Sequence, residues 1–415
     1  MQFRVSLSLV LALFPAMCVT LPHGHGIALF GLVAFIVYQA GSSRFQHGSQ
    51  DLWRNLMPIA LSFLLIFLGV LASVVMNHDH IKALDYPLRW VGLIAVAYCL
   101  FRMPFNPRSF WCGVLIGAYG ALVLACWQFF IEHFGRAEGF TNAIPFGDIS
   151  LMLGVFALLR APYELGKWRV AFLGAFVAGV SASFLSLTRG GWPLLGPLLV
   201  YQLTVNPFNI SKRVRGGLAL LVALVAIVIS NSNSIFGERI LLVQHDAALH
   251  FSGETSTSVA ARLTMWRFAL QSGLDHFWFG LGPDIYHSSL KQQAISDPLL
   301  RDIARFSHAH SEFLDAFAKC GIVGVVTLAL FFAIPLTILY RLRVVNSDAA
   351  CARISAIWLI WGYLIFGLSQ VMFAHNISLL FYGVMLIVFW VIAFSGVREV
   401  GASQGSYRLG QAAKG

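Results

Sequence analysis

Apolar runs of roughly 17–22 residues recur along most of the chain, and they leave few folds open. Each is long enough to cross a hydrocarbon core of about 30 Å as a helix. In a bilayer the backbone must satisfy its own hydrogen bonds, so helices and closed barrels are the available solutions. The runs lack the period-two alternation of a barrel strand, which leaves a helical bundle. Only 11% of the residues are charged, against about 25% in an ordinary soluble domain.

Twelve spans can be placed, at roughly 5–21, 25–40, 56–75, 83–101, 110–131, 145–160, 168–187, 191–205, 214–230, 320–340, 352–372 and 377–396. The first follows a single Arg4 and precedes Pro22-His23-Gly24, which is no small-x-small cleavage site. It is read as a retained span rather than a signal peptide. The expected organisation is therefore spans one to nine in 1–230, a long polar segment in 231–319, spans ten to twelve in 320–396, and a tail in 397–415.

An even number of spans puts both termini on one side. Loops on that side carry clusters such as Arg160, Lys167 and Arg169, or Arg341, Arg343 and Arg353. Short loops on the other side carry only Lys82, Arg89, Arg136 and Arg189. The positive-inside rule makes the terminus side cytoplasmic and turns the long segment outward. It also accounts for the net charge of +10 without a nucleic-acid partner. The six cysteines lie in or beside apolar segments, with no disulfide framework and no paired metal ligands.

The long segment reads as a cap of short helices. Val259, Leu263, Trp266 and Leu270 mark one face of an amphipathic helix. Another helix is expected within 235–251, a turn packed on the membrane surface at 274–283, and helix-compatible polar sequence over 288–306. Residues 252–258 read as a loop.

The chemistry gathers at the end of this segment, in Ser307-His308-Ala309-His310-Ser311-Glu312. A histidine just before a helix is disfavoured from carrying charge. A neutral imidazole can accept a proton near pH 7. Alone, the pair reads better as interfacial polar residues. Three outward arginines change the balance. Arg189 lies in Thr188-Arg189-Gly190-Gly191 at the end of a span, where glycines permit close backbone approach. Arg262 shares a helix with Trp266, and Arg267 points to another face. Arg136 reads either as a solvated loop charge or as a ligand. Guanidinium groups are bidentate phosphate ligands. Three of them with a base suit a substrate that has a multiply charged phosphate and a proton to remove. No Asp-x-Asp pair offers a metal clamp for a diphosphate.

At these residues the chain resembles the bacterial O-antigen ligase family of membrane glycosyltransferases. The family's Thr-Arg-Gly is matched by Thr188-Arg189-Gly190. Its Arg-x-x-x-Trp helix and following His-Pro-Leu-x-Gly-x-Gly turn are matched by Arg262, Trp266 and His276-Phe277-Trp278-Phe279-Gly280-Leu281-Gly282. Its His-x-His-Asn motif is matched by His308-Ala309-His310-Ser311, with Ser311 in place of Asn and Phe277 in place of Pro.

The resemblance implies an all-α polytopic transmembrane bundle in the bacterial inner membrane, with a helical periplasmic cap. It implies transfer of a glycan from undecaprenyl diphosphate to a sugar hydroxyl of lipid A-core on the periplasmic face, inverting, with no cofactor, nucleotide sugar or metal. The partners would be the lipid-linked glycan, the lipid A-core oligosaccharide and membrane lipids. His310, Arg189 and Arg262 would be catalytic, and Arg136, His308, Glu312, Gly190 and Trp266 would bind substrate.

Two other readings compete. O-antigen polymerases are associated with Arg, ten residues, then Gly, and both Arg136 to Gly147 and Arg262 to Gly273 fit that spacing. A transporter of lipid-linked glycans would place its polar residues at mid-membrane, not at one face. A protein oligosaccharyltransferase would carry a larger outward C-terminal domain than the tail expected here.

Overall fold

The computed structural model describes residues 6–40, 50–205 and 258–396, with positions 207–209, 211, 212 and 216. The ninth span expected at 214–230, the helix expected within 235–251 and the tail at 397–415 fall outside the described residues, as does all but the last residue of the loop expected at 252–258.

The described chain is helical, in the order α1 Leu7–Met17, α2 Gly24–Ala40, α3 Gln50–Met76, α4 Leu88–Phe101, α5 Pro107–Cys126, α6 Ala143–Arg160, α7 Gly166–Leu185, α8 Leu195–Val205, α9 Ser258–Asp275, α10 Pro283–Ser296, α11 Pro298–Arg301, α12 Glu312–Arg341, α13 Ser347–Phe366 and α14 Asn376–Ser395. Eight helices among the described residues are long and apolar enough to cross a membrane: α3 to α7 and α12 to α14. The chain is a multi-pass membrane protein.

Three of the other expected spans are short helices among the described residues. α1 and α2 are shorter apolar helices. The eighth expected span is an 11-residue helix, α8, after a 3-10 turn over Arg189–Leu194. That is about half of what a hydrocarbon core requires.

α6 and α14 form the centre of the bundle. Each is apolar on every side, and 94% of its most apolar stretch is buried, the signature of a helix surrounded by other helices. Aromatic rings fill the space between α4, α12, α13 and α14. Phe373 stacks on Tyr363 at 5.7 Å and meets the edge of Trp90 at 5.2 Å. This ring cluster pins the loop between α13 and α14, which carries two polar residues of the site.

α12 differs most from expectation. It begins at Glu312, not near 320, and it is broken at Gly321 (φ 62°, ψ −157°). The turn after α9, expected on the membrane surface, is inserted into that break. The amides of Leu281 and Gly282 donate to the carbonyls of Ala318 and Lys319, each at 2.9 Å. The amide of Ile322 donates to Phe277 O at 2.8 Å, and that of Val323 to Trp278 O at 3.3 Å. Ser73 Oγ from α3 donates to Lys319 O at 2.7 Å. The break thus loses few backbone partners, and polar sequence around it is the reason that span ten looked shorter.

The helices preceding α12 share a core of their own. Met265, Phe268 and Ala269 of α9 meet Tyr286 and Leu290 of α10 and Ile303, Ala309 and Ala318. The buried face of α9 is therefore not the expected Val259, Leu263, Trp266 and Leu270 stripe. Leu263 and Trp266 are half-buried and Leu270 is exposed. A large-residue pattern misplaces this face because Ala260 and Ala269 supply part of the contact.

Candidate active site

The site is built at one end of the bundle, on the loop that enters α12. Asp315 Oδ1 accepts the amide of Ala309 at 2.9 Å, and Oδ2 accepts Lys319 Nζ at 2.8 Å. Glu312 donates its amide to Gly367 O at 2.8 Å, and its Oε2 accepts the amide of Phe373 at 3.2 Å. The histidine segment is thereby held from both sides. His310 sits at φ 50°, a left-handed conformation that costs a non-glycine residue about 1–3 kcal/mol.

The rings of His308 and His310 lie 4.4 Å apart, and His375 is 6.1 Å from His308. Gln370 hydrogen-bonds His310, and its Nε2 lies 3.2 Å from His375 Nε2. Burial, then the charge of Arg262, pushes His310 down to about 4, against the smaller upward pull of Gln370. Burial, then the charges of His310, Lys319 and His375, pushes His308 down to about 3. Burial also lowers His375. Both histidines of the motif are thus neutral at pH 7 and able to take a proton. Burial is the main cause, and the helix terminus invoked from sequence is not needed.

Arg262 is half-buried beside His310, whereas Arg267 is exposed. No carboxylate among the described residues pairs with Arg136, Arg189 or Arg262. At the opposite end of the bundle Arg160 is paired with Glu164 at 2.7 Å and also with Asp348. Several donors at the site end lack acceptors: Arg136 Nε, Trp192 Nε1 and Trp266 Nε1 are buried without a hydrogen-bond partner. Unpaired guanidinium groups and unfilled N–H donors together fit an anion.

The turn carrying Arg189 joins the histidines through the loop after α13. A side chain at Gly190 would strike Ser369 Oγ, and one at Gly191 would strike Asp148 and Phe366. These glycines admit protein neighbours; they do not open the backbone to a ligand. Thr188 Oγ1 donates to Ala143 O at 2.8 Å, tying the turn to the start of α6. Leu187, at φ 56°, is the second left-handed non-glycine residue in a site motif. Arg136 lies on the adjoining loop, where the Ala137 amide donates to Leu185 O at 2.9 Å. So Arg262, His308 and His310 are brought together directly. Arg189 and Arg136 occupy neighbouring turns of the same rim, and the Arg189 side chain is exposed.

Gln370 and His375 were not expected at the site. The sequence from Ile365 to Phe373 is apolar enough to extend span eleven to 372, which hid Gln370 inside a helix. α13 ends at Phe366 instead. The two glycines of the polymerase-like spacing have packing roles: Gly147 admits Ser186 and Thr188, and Gly273 admits the ring of Phe317.

The O-antigen ligase family model matches residues 174–329. Over that stretch the chain is similar to the O-antigen ligase family. The matched stretch runs from α7 through the Arg189 turn, Arg262 and the histidine motif to just past the break in α12. A Haemophilus influenzae protein described as uncharacterized is 24% identical over 401 residues, spanning 93% of this chain and 98% of its own length.

Proposed function

We propose that this protein is an O-antigen ligase of the bacterial inner membrane. It transfers a glycan from undecaprenyl diphosphate to a sugar hydroxyl of lipid A-core, with both termini cytoplasmic and the site periplasmic. The observation that carries this reading is the half-buried, neutral His310 beside Arg262, among arginines without carboxylate partners among the described residues.

The acceptor oxygen attacks the anomeric carbon while its proton passes to His310. The new glycosidic bond forms as the carbon–oxygen bond to the diphosphate breaks, and the electron pair leaves with the diphosphate. Arg262 and Arg189, with Arg136, bind that group and stabilise its charge. Trp266 Nε1 offers a further donor. One direct displacement inverts the anomeric centre and calls for no covalent carboxylate nucleophile. His308 packs against His310 and keeps its surroundings dry. Glu312 and Gly190 shape the site through Phe373 and Ser369.

Purified protein given the lipid-linked glycan and rough lipopolysaccharide in EDTA tests this. Glycan joined to lipid A-core supports the ligase. Glycan lengthened on its own carrier would make the protein a polymerase, and no product with either acceptor would remove the transferase reading.

A further inference from the structure

A cavity of about 460 Å³ opens against the same histidine segment, lined by a separate set of side chains. Ser307, Glu312, Asp315 and Lys319 of that segment and of the start of α12 line it. Val371 and Phe373, from the loop between α13 and α14, line it too. Arg136, Arg189, Arg262, His308, His310 and Gln370 do not line it. The segments 307–319 and 370–375 therefore act as a partition. One set of their side chains makes the histidine group and a different set faces the cavity.

The two compartments differ in charge. Beside the histidines stands Arg262 without a carboxylate partner among the described residues. In the cavity, two lysines, Lys82 and Lys319, stand with three aspartates, Asp85, Asp284 and Asp315. Lys319 is already held by Asp315 at 2.8 Å. The cavity thus offers a diphosphate no surplus of positive charge, and close carboxylates repel it. What remains compatible is an uncharged, hydroxyl-rich group. Carboxylates accept hydrogen bonds from hydroxyls. The rings of Tyr86 and Phe373 line the same space, as do the apolar side chains of Ile66, Val70 and Leu328. A volume of this size falls in the range of small-molecule sites, about 300–1,000 Å³.

We propose that this cavity is a saccharide pocket that receives the uncharged sugar end of the acceptor. Its hydroxyls meet the aspartates Asp85, Asp284 and Asp315, and its less polar portion lies against Val70 and Leu328. As an acceptor pocket it rests on the glycosyl-transfer reading; as a saccharide site it can be tested alone. The active site would then sort its two lipid substrates by charge, with donor diphosphate on the arginine side and neutral acceptor sugar on the carboxylate side.

The test uses the full chain in lipid nanodiscs with two probes, a diazirine-bearing octyl glucoside and farnesyl diphosphate. Photolabel is expected on 82–90, 307–320 or 371–379, protected by excess octyl glucoside and not by farnesyl diphosphate. Val70→Phe, which puts a larger side chain into the lining, is expected to cut this labelling at least tenfold while farnesyl diphosphate binding stays within twofold. Arg262→Ala is expected to do the reverse. The double change Asp85→Lys with Asp284→Lys, at two exposed positions, is expected to let farnesyl diphosphate compete for the cavity. Farnesyl diphosphate displacing the glucoside in wild type would overturn the proposal. So would equal labelling of wild type and a folded Val70→Phe, or failure of the double change to admit the diphosphate. Specific labelling without any transfer product would overturn the glycosyl-transfer reading and leave the saccharide pocket standing.

Discussion

Asp315, one turn into α12, reaches back to accept the amide of Ala309, the residue between the two histidines, at 2.9 Å. Its other oxygen holds Lys319 on the next turn. One carboxylate therefore joins the strained His310 loop to the segment above the break at Gly321. Asp315→Ala is expected to leave the Ala309 amide buried without its acceptor, at a cost of about 1–3 kcal/mol. The transfer rate should fall while donor affinity changes little. Asp315→Asn, which keeps an acceptor oxygen for Ala309, should retain more of the rate. Equal loss in both variants would mean that the Lys319 pair, not the loop anchor, matters.

The acidity of His310 gives a second check. With a value of about 4 in the free protein, kcat/KM should hold from neutral pH down to an acid limb near pH 4, since kcat/KM reports the free enzyme. Removing the Arg262 charge in Arg262→Gln removes a cause that lowers His310. Its limb should then move to higher pH while donor affinity drops at least tenfold, about 1.4 kcal/mol. An unmoved limb in that variant would separate Arg262 from the base.

The same burial makes a prediction about stability. The unfolded chain takes up protons on its histidines below about pH 6.5, whereas folded His308 and His310 resist until about 3 and about 4. The unfolded state therefore binds more protons between those limits, and the folded state loses stability as pH falls from about 6.5 toward 4. Thermal unfolding in detergent across this range should show the decline. Replacing both histidines with glutamine should flatten it, and an unchanged slope would place the sensitivity elsewhere.

Gln370 is a positioning residue in this account, because it hydrogen-bonds His310 and contacts His375. Gln370→Leu should lower kcat and shift the acid limb downward, because the Gln370 bond is one of the causes that raise His310. A purely structural role would lower stability and leave the limb in place. The pH profile of the variant separates the two.

Gly321 supports the site from below. Its φ of 62° with ψ of −157° belongs to a region nearly confined to glycine, and a side chain there would collide with the backbone of Phe277 and Trp278. Gly321→Ala is expected to cost at least about 2 kcal/mol and to loosen the turn over 277–282. Hydrogen exchange at Ile322 and Leu281 would report it.

Much of this arrangement was legible in the residues themselves. Apolar run length located the eight long helices, and helical spacing put Arg262 and Arg267 on different faces of one helix, one half-buried and the other exposed. The glycines at 190 and 191 were recognised, but their purpose was not, because sequence shows that a side chain is missing without showing what fills its place. Gln370 and His375 were hidden by their apolar neighbours, and the break in α12 by the separation in sequence of its two halves. Burial, the main cause of the neutral histidines, depends on segments far apart in the chain.

The most direct measurement is single-turnover glycan transfer by wild type and His310→Ala, with donor binding measured in parallel. A proton acceptor in general-base catalysis contributes about 10²–10⁴-fold, so the variant should lose transfer by that factor and keep donor affinity within a few fold. Transfer at the wild-type rate by His310→Ala would contradict the account.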